Sequence, residues 1–448
     1  MTTFERVRKA QSVREAVQYI PDVFYERVAL VALMYWLIVS LLLWWPGESL
    51  GLGIGLLASA NLQVGIVAVA IGVLLLVARR VGAALDPARD PLRRNVPLVL
   101  FGVFLALATV SALVSATDAT WTGDGYRRES LITYVSYVGF FFLATQVLAP
   151  ARRKLLLGMV LGLALVTCLV VVPAALIEGW SSGAWQVPTR PRAYFHQFNH
   201  YGYLLAVGGA LAVSGALVSS RRVARWALLA AFAGILFTLL LNDTLGAYIA
   251  LVVGSIAVLV SLAVIRRLHV GTAIALVGIV VVVHIVAEWM GIGILGELMS
   301  LGNDVRSVSA GEEGAAAAGT GRWGLWVTTA QQIVASPWLG HGVEGIADLL
   351  PVGYGRPHNE YLQYAVFFGI PALIAYLGAV ITIFVRVVRR AGAVDATTLC
   401  AATAAATYLV SALFGNTMYY TAPFLFLLLG VAWGGIRSQP ADAGTLRS

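Results

Sequence analysis

Charged residues are scarce in this chain of 448 residues. Only 12% are Asp, Glu, Lys or Arg, whereas 59% are hydrophobic and the mean hydropathy is +0.84. Soluble globular proteins carry roughly 25% charged residues, so a fold with a fully solvated surface is excluded. Apolar runs of about 20 residues, long enough to cross a hydrocarbon core of ~30 Å, recur along the chain. They predict an all-α polytopic membrane protein.

Cysteine and the common cofactor motifs are also scarce. The two cysteines, Cys168 and Cys400, lie inside apolar runs and are predicted to be small core residues without a disulfide. The sequence has no P-loop, no G-x-G-x-x-G after a strand and no D-x-D, so we predict no cofactor and no metal. Energy for any group transfer would then come from the substrate itself, such as a sugar on a polyprenyl diphosphate.

The apolar runs predict twelve transmembrane spans within one integral membrane domain, residues 1–448. They lie near residues 28–46, 61–79, 96–115, 131–149, 155–177, 198–218, 225–241, 244–265, 270–293, 360–385, 394–414 and 420–436.

The basic residues orient these spans. Cytoplasmic loops of membrane proteins are enriched in Lys and Arg. With the N-terminus inside, the outer segments hold only seven of the 30 basic residues, and the inner segments hold the other 23. The seven are Arg127, Arg128, Arg190, Arg192, Arg306, Arg322 and Arg356. We therefore predict a multi-pass protein of the cytoplasmic membrane with both termini cytoplasmic, and the net charge of +8 needs no nucleic-acid partner.

The longest polar interruption, residues 294–359, separates the ninth and tenth spans and is predicted to be a large extracytoplasmic loop. Its middle, Ser307 to Gly321, is rich in Gly and Ala and is predicted to be mobile. Trp323 to Ala335 has apolar residues at helical spacing. This part is predicted to form an interfacial helix with its tryptophans at headgroup depth.

His358 is the first candidate for chemistry. It follows Pro357 and precedes Asn359 and Glu360 at the start of the tenth span. Asn is a favoured N-cap, and the positive end of the helix dipole disfavours an imidazolium. A neutral imidazole can take a proton from a sugar hydroxyl. The alternative interpretation is a histidine that only caps the helix at the headgroup layer.

Arg322 and Arg192 are candidates for binding phosphate. Arg322 opens the predicted interfacial helix, and Arg192 lies before the sixth span. A guanidinium offers a planar fork that binds phosphate oxygens bidentately. The alternative is that each arginine only anchors the protein to lipid headgroups. Further substrate or acceptor contacts are predicted at Arg127, Arg128, Arg190, Asn199, Tyr203, Asn359 and Glu360.

Three stretches together resemble the O-antigen ligase and O-antigen polymerase superfamily of bacterial envelope glycosyltransferases. The first is Arg192 through Asn199 into Tyr203; the second is Gly321 through Trp326, leading to Ser336-Pro337-Trp338-Leu339-Gly340-His341-Gly342. The third is His358-Asn359, nine further residues and Gly369. The predicted arrangement of twelve spans, with a large outer loop late in the chain, also resembles that of this family.

The resemblance implies a metal-independent, inverting glycosyltransferase at the outer face of the cytoplasmic membrane. It would move a glycan from a polyprenyl diphosphate carrier to a hydroxyl of a glycan or glycolipid acceptor. His358 would be the general base, and Arg192 and Arg322 would hold the diphosphate. Polymerase and ligase are not separated, and the alternative from another class is a transporter or flippase of lipid-linked oligosaccharides.

One departure from the family pattern stands out. Many members have Ser-Arg-Gly at the start of a middle span, where this chain has Asn242-Asp243-Thr244-Leu245-Gly246. Arg127, Arg128 or Arg190 would compensate for the missing arginine, or else the substrate differs.

Overall fold

A computed structural model describes residues 3–44, 53–90, 95–123, 127–181, 187–195, 197–311, 315–319, 321–350 and 355–439, and every regular element in these ranges is a helix. The α-helices are α1 (Thr3–Lys9), α2 (Val13–Gln18), α3 (Asp22–Trp44), α4 (Gly53–Arg80), α5 (Val96–Val114), α6 (Ala119–Thr122), α7 (Leu131–Gln146), α8 (Pro150–Ser181), α9 (Phe198–Val218), α10 (Arg222–Asn242), α11 (Leu245–Val264), α12 (Val270–Trp289), α13 (Leu295–Ala310), α14 (Arg322–Ala335), α15 (Glu360–Phe368), α16 (Ile370–Arg389), α17 (Ala396–Ser411) and α18 (Ala422–Arg437). Short 3₁₀ helices cover Ala315–Ala317, Ala347–Leu349 and Ala412–Phe414.

Ten of these helices are long and apolar enough to cross a membrane, and two shorter apolar helices, α7 and α18, join them. Helices satisfy all their backbone hydrogen bonds internally, which a chain in hydrocarbon requires. The predicted polytopic all-α membrane fold is confirmed. All twelve predicted spans coincide with these helices, although the tenth differs in form.

The tenth predicted span, residues 360–385, is not continuous. It consists of α15 and α16, which are separated at Gly369. Gly369 has φ +87, and a Cβ there would collide with the carbonyl of Trp338. The Ile370 amide donates to the Pro337 carbonyl at 2.8 Å. The prediction of one helix was wrong because the Pro337–Trp338 turn packs against the backbone at this glycine.

The long polar segment between α12 and α15 contains two helices. The predicted interfacial helix is α14, which begins one residue earlier than expected, at Arg322. The preceding helix α13 extends to Ala310, so the prediction of a mobile segment from Ser307 was wrong for its first four residues. The Asp304 carboxylate accepts a hydrogen bond from the Gly319 amide at 2.9 Å, which ties this segment back onto α13. Residues 312–314 and 320 lie outside the described ranges.

Helix α9 lies at the centre of the bundle, buried along most of its length. It packs against α10, α11 and α17, while α18 packs against α7. Small residues permit these close approaches. At Gly208 an added Cβ would lie 2.6 Å from the Cβ of Ala164 on α8. The first turn of α9, the start of α15 and the end of α17 are thereby held at one face of the bundle, which we call the His358 face.

Candidate active site

The backbone around His358 is held from two sides. The Trp326 indole on α14 donates to the Pro357 carbonyl at 3.0 Å, and the His358 amide donates to Asn416 Oδ1 at 2.8 Å. His358 itself has φ +51, a left-handed conformation that costs a non-glycine residue on the order of 1–3 kcal/mol and persists where its surroundings impose it. The imidazole is therefore positioned by contacts from two separate parts of the chain.

Asn359 caps the helix that follows. Its Oδ1 accepts hydrogen bonds from the amides of Tyr361 at 3.0 Å and Leu362 at 3.1 Å. This N-cap agrees with the sequence interpretation, and its role explains why a short polar residue follows His358. A contact between Asn359 and substrate stays a prediction.

Three arginines act on the His358 side chain. Burial, followed by the charges of Arg322, Arg127 and Arg356, lowers the pKa of His358 to about 4. The imidazole is therefore neutral near pH 7. The sequence interpretation expected a neutral imidazole but attributed it to the helix dipole, whereas burial and neighbouring cations are the causes here.

Arg356 and Arg127 are joined through one carboxylate. The fully buried Arg356 donates from Nε to Glu344 Oε1 at 2.8 Å and also from Nη2 to the same oxygen. Arg127 Nη1 donates to Glu344 Oε2 at 3.0 Å. Arg356 Nη1 also donates to the Thr417 carbonyl at 2.8 Å. Glu344 thus fixes two of the three cations that face His358.

A second carboxylate lies behind Arg356. Glu129 Oε2 is 3.5 Å from Arg356 Nη1, and it accepts hydrogen bonds from Tyr134 at 3.0 Å and Gln363 at 3.4 Å. Tyr137 donates to Oε1. Burial raises the pKa of Glu129 to about 7, against the opposing effect of Arg356. Burial alone would lower the pKa of Arg356, but the Glu344 and Glu129 carboxylates raise it above its ordinary value.

Glu360 and Tyr203 form part of the bundle interior. Glu360 is 1% exposed, and its Oε1 accepts from the Tyr408 hydroxyl at 3.0 Å. The Tyr203 ring lies 4.9 Å from the Tyr408 ring, beside Glu360 and within electrostatic range of Arg322. These side chains link α9, α15 and α17 beneath His358. Direct contacts of Glu360 and Tyr203 with an acceptor stay predictions.

Arg190 binds the turn between α10 and α11. Its amide donates to the Leu241 carbonyl at 3.1 Å, and its Nε donates to Asp243 Oδ2 at 2.9 Å. Its guanidinium also lies 5.2 Å from the centroid of the Phe198 ring. Asp243 belongs to the stretch where the related family has Ser-Arg-Gly. The guanidinium of Arg190 therefore reaches the Asn242–Gly246 stretch from another segment of the chain.

The remaining predicted site residues lie around this core. Arg192 is exposed. Its neighbour Phe195 packs 5.4 Å from Tyr420, next to the Asn416 turn. Asn199 is half-buried in the first turn of α9. The carbonyl of Arg128 accepts a hydrogen bond from the Thr133 hydroxyl at 3.0 Å. Roles for all three in substrate binding stay predictions.

Two functional candidates were not found from the sequence. Glu344 follows Gly342 and Val343, and Asn416 lies in the short connection between α17 and α18. Both are polar residues on the predicted outer side, but only the folded structure places them beside Arg356 and His358. Within the described ranges, no group of three or more His, Cys, Asp or Glu side chains lies close enough to hold a metal ion.

Fold and site together define a multi-pass membrane protein with a neutral histidine and several arginines gathered at one end of its helix bundle. Residues 230–377 match the family model described as O-antigen ligase (Wzy_C). The matched segment runs from α10 into α16 and contains Arg322 and His358; it is similar to the O-antigen ligase family, a family of enzymes that act in lipid-linked glycan transfer. No match was found among curated proteins.

Proposed function

We propose that the protein is a metal-independent glycosyltransferase of the cytoplasmic membrane. It transfers a glycan from a polyprenyl diphosphate to a hydroxyl of a glycan or glycolipid acceptor at the outer face. The observation that carries this proposal is the neutral His358 facing Arg322, Arg127 and Arg356. A base for the acceptor and cations for the leaving group are then available at one site.

The proton of the acceptor hydroxyl goes to His358. In the unliganded protein the three cations make this imidazole a weak base. An anionic diphosphate bound to Arg322 offsets the charge of that arginine, so the pKa of His358 rises toward its ordinary value once the donor is in place. The base therefore strengthens when there is a donor to attack.

The diphosphate is the leaving group, and arginines stabilise it. Negative charge grows on the diphosphate as the glycosidic bond breaks, and preorganised guanidinium groups stabilise that charge by charge-assisted hydrogen bonds. Arg322 and Arg192 hold the diphosphate in this proposal. Direct attack of the acceptor oxygen from the opposite side inverts the anomeric centre.

Arg190 supplies the cation that the Asn242–Gly246 stretch lacks. It is held on Asp243 by a 2.9 Å ion pair. Its half-exposed position supports contact with a ligand at the His358 face. Arg127 and Arg128 are the other candidates, and Arg127 already has a place next to His358.

The test is glycan transfer by the purified protein in detergent, with a polyprenyl-diphosphate oligosaccharide as donor. Longer lipid-linked chains identify a polymerase, and transfer to a separate saccharide or glycolipid identifies a ligase. A transporter or flippase forms no bond. Movement of the intact donor across vesicles without any new glycosidic bond would overturn the proposal.

A further inference from the structure

A cavity of about 430 Å³ lies at the face of the bundle opposite His358. It is formed by the end of α9, the turn between α11 and α12, and the turn between α16 and α17. Its size is in the range of small-molecule sites, roughly 300–1,000 Å³. Nine of its thirteen lining residues are apolar, and the other four are Arg266, Arg267, His269 and Asp395.

The two arginines project from a fixed turn. Helix α11 ends in a hydrogen-bonded cap in which the Arg266 amide donates to Ala263 at 3.0 Å and the Arg267 amide to Leu262 at 2.8 Å. Arg266 has φ +54. The Arg267 Nη2 donates to the Gly392 carbonyl at 2.9 Å, across the gap between the two turns. Arg267 therefore connects the two turns on the cationic side of the cavity.

The acidic residue in the cavity does not cancel these charges. Asp395 Oδ2 accepts from Arg153 Nη2 at 2.7 Å, and Oδ1 accepts from the Thr398 amide at 2.7 Å. Arg153 is 1% exposed, so its charge is directed to this carboxylate. Arg266 and Arg267 are left as the cationic excess of the cavity, and the N-termini of α12 and α17, which begin here, add positive potential.

A cavity with apolar residues and two arginines suits a ligand that carries both a phosphate group and apolar chains. Leu217, Leu262 and Ile265 line the apolar part. A free phosphate ion gains nothing from such walls, whereas a phospholipid joins a phosphate to apolar chains. With the orientation predicted from the basic residues, this face meets the cytoplasmic leaflet, whose anionic lipids attract Lys and Arg near the surface.

We propose that this cavity binds the phosphate headgroup of an anionic phospholipid from the cytoplasmic leaflet. The Arg266 and Arg267 guanidinium groups hold the phosphate, and the acyl chains follow the apolar walls between α9 and α11. The site is independent of His358 and of the proposed transferase reaction.

The experiment is native mass spectrometry of the purified chain after exchange into phosphatidylglycerol or phosphatidylcholine. The wild type should retain one phosphatidylglycerol. The double variant Arg266→Gln/Arg267→Gln should retain it at least about tenfold more weakly, because both cations that attract the anionic headgroup are removed. The matched control, Arg221→Gln/Arg222→Gln, removes an equally exposed pair outside the cavity and should retain the lipid like the wild type.

A second variant keeps the charges and removes the space. Ala391→Trp fills the cavity and should also release phosphatidylglycerol. Equal losses in the two arginine double variants would overturn the proposal in favour of general surface attraction. Equal retention of phosphatidylcholine, or displacement of the lipid by inorganic phosphate alone, would overturn it as well.

Discussion

The charge state of His358 depends on its burial and on three arginines, two of which belong to distant parts of the chain. Arg127 precedes α7, Arg322 opens α14, and Arg356 lies two residues before the histidine itself. Each positive charge opposes protonation of the imidazole. The environment of a single ring therefore depends on the folding of the whole His358 face.

Arg127→Gln should move the acid limb of the pH–activity profile. Removing one cation raises the pKa of His358 from about 4 toward its ordinary value, so more imidazolium is present at mildly acid pH. A rise of one unit would leave about half of His358 neutral at pH 5. The profile of kcat/KM is the appropriate measurement because it reports the free enzyme.

Arg306→Gln is the control for this variant. Arg306 is an exposed arginine on α13 of the same long segment, and its loss should leave the acid limb in place. An acid limb that is unchanged in Arg127→Gln would show that this cation does not set the basicity of His358.

Glu344→Gln should destabilise the protein. It leaves the fully buried Arg356 without its closest carboxylate, with Glu129 at 3.5 Å as its remaining anion. Removing one partner of a buried pair costs on the order of 3–5 kcal/mol. The free energy of unfolding in mixed detergent micelles measures this loss. The control is Asp348→Asn, which replaces an exposed carboxylate in the same segment and should change the free energy of unfolding by less than about 0.5 kcal/mol. Similar effects of the two variants would contradict the role of Glu344 in pairing the buried Arg356.

At the scale of elements, the sequence predicted the spans well and the break at Gly369 not at all. Hydrophobic run length is a local property, so α9 and α10 could be placed from the chain alone. The break depends on the Pro337–Trp338 turn packing at residue 369, which is a contact between distant segments. The extent of α13 was missed as well: this helix reaches Ala310, where Gly311 with its φ of +65 caps it.

Gly369→Ala should destabilise the junction of α15 and α16. Its φ of +87 and the nearby Trp338 carbonyl leave no room for a methyl group, and the backbone strain alone costs roughly 1–3 kcal/mol. Glycan transfer should fall as well because α15 carries Asn359 at its start. Gly378→Ala is the control, since its new methyl would meet only the Leu100 side chain at 3.4 Å. Equal stability of the two variants would contradict a strained junction.

At the scale of the whole molecule, the distribution of basic residues predicts which face is cytoplasmic. Cys168 and Cys400 are buried and free, so they can be replaced by alanine in a labelling background. A cysteine at Asn303 should react with an impermeant maleimide in intact cells, whereas one at Ser220 should react only after permeabilisation. Both positions are exposed. The reverse pattern would place the His358 face in the cytoplasm.

The candidate site was predictable in its parts and not in its assembly. The sequence identified three of the site's polar residues on the predicted outer side of a hydrophobic chain: His358, Arg322 and Arg127. Glu344 and Asn416 were not identified. Glu344 matters through its contact with Arg356, 12 residues away, and Asn416 through its contact with His358, 58 residues away. Arg190 gained its significance only from its ion pair with Asp243. Long-range pairing of polar groups leaves no periodic signal in a sequence.

The central claim is that His358 is the base of a glycan transfer reaction. The most direct measurement is transfer from a polyprenyl-diphosphate oligosaccharide by purified His358→Ala, compared with the wild type and with His269→Ala, a histidine at the opposite face. Loss of a general base costs roughly 10²–10⁴-fold in rate. Such a loss in His358→Ala, with normal donor binding and with wild-type transfer by His269→Ala, is the predicted result. Transfer by folded His358→Ala at the wild-type rate would contradict the account.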